Sequence, residues 1–168
     1  MEYKIKEKVE PKQNASVEEI LNSIEKPEDI VVTTEDEDKF FGSVMKSTMY
    51  SDVVDAMAGR MKITFRDRSG EELNKIITMV SNDVVKTEAE FEFKLRLYHL
   101  IYALCEIKYY DKAGKLESEE KLKDLNFDEK LEHVQKYSSQ KFISVIKSMD
   151  KFNLKLDKLS EMASKKNS

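Results

Sequence analysis

Between Tyr50 and Val84 the period of the apolar positions changes. Met61, Ile63 and Phe65 alternate with Lys62, Thr64 and Arg66, the pattern of a strand with one buried face. Upstream, Tyr50 to Met57 is also strand-like, with Val53, Asp55 and Met57 on one parity and Val54 and Ala56 on the other. Gly59-Arg60 supplies a turn between them, so an antiparallel hairpin is expected. Ser69 then stands three residues before Glu72, the spacing of a capping box, and the apolar spacing becomes helical. A helix over Glu71 to about Val85 presents Leu73, Ile76, Ile77, Val80 and Val84.

Helical periods dominate the rest. Thr87 and Glu90 cap a segment with Phe93, Leu97, Leu100, Ile101 and Leu104 on one side and Phe91, Leu95, Tyr98 and Tyr102 on a second. A helix apolar over so much of its circumference packs on two sides, which makes Phe91–Cys105 the expected core helix. Ile107 and Tyr109 alternate with polar neighbours before the turn Asp111-Lys112-Ala113-Gly114, and Lys115-Leu116-Glu117 is placed to pair back as a second small hairpin. Ser118 and Lys121 fall where a new helix would begin, running to Leu125. Phe142, Val145, Met149, Phe152, Leu156 and Leu159 then follow at alternating spacings of three and four, extending back through Val134 and Leu131 with Ser138 as a polar break. With no Pro or Gly from Asp128 to Ala163, this reads as one helix over 128–163, roughly 50 Å long, with a disordered tail at 164–168.

The N-terminal side is weaker in pattern. Residues 1–15 read as a mobile tail, and Ser16 with Glu19 caps a small helix carrying Val17, Ile20, Leu21 and Ile24, ended by Lys26-Pro27. Ile30-Val31-Val32 is compatible with a short strand, and Thr34 with Glu37 starts a helix bearing Phe40, Phe41, Val44 and Met45. The expected fold is α+β, mostly α: a small antiparallel hairpin on a helical core spanning 16–127, followed by the long C-terminal helix.

Composition narrows the function. Of 168 residues, 40% are hydrophobic and 37% charged; four Gly and two Pro fit a largely helical chain. The net charge of −4 argues against a general nucleic-acid binder. Cys105 is the only cysteine, so no intramolecular disulfide forms, and its apolar neighbours suggest an inert thiol. No apolar run approaches a membrane span and no signal core follows the N-terminus, so the cytoplasm is the expected compartment. His99 and His133 stand alone, and there is neither a CxxC, an HxxxH nor a glycine-rich phosphate loop. No cofactor, metal or catalysis is expected. The acidic cluster Asp36-Glu37-Asp38 suits the positive end of a helix better than a cation site.

Two features invite a partner. Arg60, Arg66 and Arg68 flank the second strand; the plain reading is a solvent face paired with Glu71 or Glu72, and the sharper one is Arg66 held to recognise a carboxylate or phosphate. The C-terminal seam of Phe142, Val145, Met149, Phe152, Leu156 and Leu159 fits either the last helix of a bundle or a face offered to another chain, as a protein partner or a homo-oligomer.

The order Phe40-Phe41, Tyr50, Gly59-Arg60-Met61-Lys62-Ile63-Thr64-Phe65-Arg66, Ser69 and Glu72 resembles the tail assembly chaperones of tailed bacteriophages over about Asp38 to Ile107. That resemblance implies a small, largely helical, non-catalytic protein that binds hydrophobic segments of the tape-measure protein while the tail assembles, and is absent from the finished particle. A virion subunit of baseplate, neck or tail is the related alternative. A cytoplasmic regulatory or nucleic-acid-binding domain is the third.

Overall fold

In the computed structural model, residues 30–167 are described. Five helices and four strands alternate there: α1 (Thr34–Met45), β1 (Ser51–Ala56), β2 (Met61–Arg66), α2 (Gly70–Asn82), α3 (Glu88–Ala103), β3 (Leu104–Tyr110), β4 (Leu116–Lys121), α4 (Phe127–Gln135) and α5 (Ser139–Lys166). The class is α+β, mostly α. The expected tail at 1–15 and the small helix after Ser16 lie outside the described residues.

Both hairpins form, and they join. The strands make one antiparallel sheet in the order β1-β2-β3-β4, with Ile63 of β2 opposite Val54 on one side and Ile107 on the other. Met61, Ile63 and Phe65 are buried, while Lys62 is exposed, as the alternation requires. The β1–β2 loop is tight: Met57, Ala58 and Gly59 all take positive φ (51, 55 and 80°). Only the glycine does so without cost.

Helix starts follow their sequence signals. Ser69 and Glu72 form the capping box of α2, and Thr87 accepts from the Glu90 amide at the start of α3. At α1 the cap is Thr33, boxed with Asp36, one residue before the expected Thr34. Asn126 and Glu129 box α4.

Four expectations are corrected. Ile30–Val32 is not a strand; Val32 packs on the core while Val31 faces solvent. Helix α3 ends at Ala103, and Leu104-Cys105 already belong to β3 without an intervening loop. Ser118 does not cap a helix: Leu116–Lys121 is the edge strand β4, whose ladder to β3 supplies the order that its polar sequence does not. The single 128–163 helix is two, α4 and α5, broken at 136–138 where Ser138 caps α5 by accepting from the Lys141 amide. The second of these continues to Lys166, into the stretch 164–168 expected as a disordered tail.

Helix α5 is 28 residues, about 42 Å. It lies against β1, β2, α1 and α3, while α3 also packs on α2 and α4. The core fills the layer between the sheet and these helices, with Phe65, Phe152, Leu100, Ile107 and Met149 fully buried.

Candidate functional site

The C-terminal seam faces the chain's own core. Val145, Met149, Phe152, Leu156 and Leu159 are all buried in the chain's own core, and Phe142 is half-buried with its ring 6.0 Å from that of Phe93. Phe152 sits between Phe65 of β2 and Tyr50, at centroid distances of 5.7 and 6.1 Å. The expectation that these six residues bind another protein is therefore corrected: the face is apolar because β1, β2 and α3 occupy it. The polar flank of α5 is fastened too. Lys155 Nζ lies 2.6 Å from both Asp36 of α1 and Asp52 of β1, and Lys158 Nζ donates to the Ile30 carbonyl at 2.6 Å. Burial disfavours the Lys155 cation, but hydrogen bonds to the two carboxylates outweigh it and raise its pKa.

The arginines separate. Arg66 donates through both terminal nitrogens to Glu72, at 2.9 and 2.7 Å, which ties the end of β2 to the start of α2. Its fork is spent inside the chain, which corrects the expectation of a free partner-recognising guanidinium. Its hydrogen bonds to Glu72 raise the Arg66 pKa and lower that of Glu72. Arg68 reaches Asn153 of α5 at 2.9 Å, and Arg60 donates to the Tyr110 carbonyl at 2.8 Å.

A carboxylate hub lies under β4. Glu120 accepts from the hydroxyls of Tyr109 (2.5 Å) and Tyr137 (2.6 Å), pairs with His133 Nε2 (2.9 Å) and takes an ion pair from Lys141. The Lys141 ammonium also rests 3.6 Å from the Tyr137 ring centroid. Burial alone would raise the Glu120 pKa; bonds from Lys141, Tyr109, Tyr137 and His133 instead bring it down to about 2. Both tyrosines are pushed above their ordinary range, first by burial and then by the carboxylate. Glu120 therefore stays a carboxylate and Tyr109 and Tyr137 stay neutral hydroxyls at neutral pH, and their bonds join β3, β4, α4 and α5.

His99 and Cys105 do not form a pair. Burial and nearby Arg68 lower the His99 pKa to about 4, and burial raises that of the half-buried Cys105 on β3. Among the described residues no cluster of His, Cys, Asp and Glu is arranged to hold a metal ion, and no helix is long and apolar enough to cross a membrane.

What the fold leaves open is a groove. The first turns of α3 and the outer side of α4 enclose about 660 Å³, lined chiefly by Ala89, Phe93, Leu97, Tyr98, Leu131 and Gln135, with Glu90 and Lys94 beside them. Phe93, Leu97 and Leu131 belong to the main hydrophobic cluster or pack against it, so the groove floor is continuous with the core. Tyr98 is fixed there by donating to Asp83 at 2.6 Å; burial and this carboxylate push its pKa up to about 12. On the neighbouring helix α2, Ile77 (58% exposed) and Leu73 (37%) also face solvent one turn apart. The α3 periodicity contained these groove residues, but nothing local distinguished Phe93 as a groove wall from a core side chain.

Comparison with family models, curated proteins and solved structures finds no match to this chain.

Proposed function

We propose that this protein is a non-catalytic binding factor that takes an apolar segment of another protein into the α3–α4 groove. The single observation that carries the reading is the groove itself. Its volume of about 660 Å³ lies in the range of sites that bury a ligand, and Phe93, Leu97, Tyr98 and Leu131 give it apolar walls. Glu90 and Lys94 at its margin supply charges of both signs, which suits an amphipathic helical segment laid in with spaced anchors. The groove replaces the C-terminal seam as the contact surface.

Within that class, the resemblance of Gly59–Arg66 and Ser69–Glu72 to tail assembly chaperones favours the tape-measure protein of a tailed bacteriophage as partner, bound in the host cytoplasm during tail assembly. Quantitative mass spectrometry at two stages of particle production tests this. Association with tail proteins in lysate and absence from purified particles is the expected result. A fixed stoichiometry in particles would make the chain a virion subunit instead, and absence from both would remove the phage reading.

A further inference from the structure

A second, smaller cavity lies beside the junction of β2, α3 and α4, where Phe127 packs at 5.4 Å on the ring of the groove's Tyr98. It holds about 160 Å³, some five waters' worth of liquid, and is lined by Arg66, Glu72, Tyr102, Lys123, Phe127 and Lys130, with Ile101 and Leu125 behind them. Its polar groups are unevenly matched. Glu72, its one carboxylate, is already engaged: both oxygens accept from Arg66, and one of them also from the Ser69 amide. Arg66, Lys123 and Lys130 only donate, and Tyr102 can donate through its hydroxyl.

Lys130 is the telling residue. It is only 5% exposed, and its ammonium donates to the Leu104 carbonyl at 2.7 Å. That bond is structurally sensible, since Leu104 caps the C-terminus of α3, which has no basic residue in its last turn. An ammonium has three donors, however, and this contact uses one. Lys123 is exposed and Tyr102 half-buried, and neither side chain makes a hydrogen bond to another described residue. With Arg66 and Glu72 neutralising each other, Lys123 and Lys130 remain as two uncompensated cations in the lining, in a protein whose overall charge is negative. Burial, aided by Arg66 and only partly opposed by Cys105 and Glu72, lowers the Lys130 pKa, so an anion in the cavity would relieve a charge that the fold holds at a cost.

We propose that this cavity is a binding site for a phosphoryl oxyanion. Tyr102 comes from α3, Lys123 from the β4–α4 loop and Lys130 from α4, so the open donors approach from three elements. A tetrahedral group with several acceptor oxygens meets that arrangement better than a planar carboxylate, which would call for the Arg66 fork already bound to Glu72. The site shares no lining residue with the groove, and its failure leaves the groove reading untouched.

The test is a titration of the isotope-labelled full chain with inorganic phosphate and, in parallel, methyl phosphate, followed by amide chemical shifts and referenced to sodium chloride at matched ionic strength. Saturable shifts around Tyr102, Lys123 and Phe127 are expected. The Lys123→Gln change, at an exposed position, should weaken binding about tenfold or more while leaving the spectrum otherwise folded. Lys130→Met should abolish binding if it folds, and the Lys123 variant decides the matter if it does not. Preference for methyl phosphate assigns a phosphomonoester, and preference for inorganic phosphate assigns the free ion; either supports the site. Shifts that merely follow ionic strength, or an unchanged dissociation constant in Lys123→Gln, overturn it.

Discussion

Truncating Phe152 to alanine removes the side chain that seats α5 on the sheet. Phe152 is fully buried and contacts the rings of Phe65 and Tyr50, on β2 and just before β1. Phe→Ala in a packed core costs about 3–5 kcal/mol, and the loss of two ring partners places this site near about 4. A domain of this kind is stable by about 5–15 kcal/mol, so the variant should still fold but with a much smaller margin. With a urea slope near about 2 kcal/mol per molar, the unfolding midpoint should fall by roughly 2 M at unchanged slope, followed by circular dichroism. Phe142→Ala, at the half-buried end of the same seam, should cost less. A Phe152→Ala shift below about 0.5 M would refute the reasoning, because the seam would then contribute too little to be the core.

Three further outcomes follow from the polar sites and the backbone. Because the Glu120 pKa sits near 2 in the folded chain against an ordinary 4.5, the unfolded chain binds more protons between those values; the contribution is complete above pH 4.5 and lost as pH falls towards 2, and Glu120→Gln should flatten that part of the acid-unfolding curve. His99, with a folded pKa near 4 against 6.5, should stay neutral in an imidazole NMR titration until about pH 4, and stability present above pH 6.5 should decline between 6.5 and 4; titration near 6.5 would contradict its burial. Ala58→Gly in the β1–β2 loop should raise stability by about 0.5–1 kcal/mol in urea melts, since Ala58 holds φ at 55°; a loss would show the loop is not strained there.

Much of the fold was legible because its signals are local. Ser69–Glu72 and Thr87–Glu90 cap the helices their spacing implies, and Met61–Phe65 buries the face its alternation marks. Strand β4 was legible only at its start: Lys115–Glu117 was placed to pair back, but Ser118–Lys121 has no apolar alternation, and its extended form comes from pairing with β3. The long seam was half legible. A heptad pattern shows that one face of a helix is covered, but Val145 and Phe152 would carry the same spacing under a partner or under the chain's own sheet. The two cavities were invisible for a different reason. Ala89 and Gln135, or Arg66 and Lys130, meet only after α3 and α4 have packed, and no spacing along the chain records that meeting.

The groove reading rests most directly on binding. Purified protein should be titrated calorimetrically with overlapping segments of the tape-measure protein from its natural source, alongside Ala89→Arg and Ile77→Asp variants. Both substitutions are at exposed positions and should leave stability nearly unchanged. The account predicts saturable binding of an apolar segment, lost in Ala89→Arg, which fills the groove mouth, and retained in Ile77→Asp on α2. Equal binding by wild type and Ala89→Arg, or no binding of any segment, would contradict it.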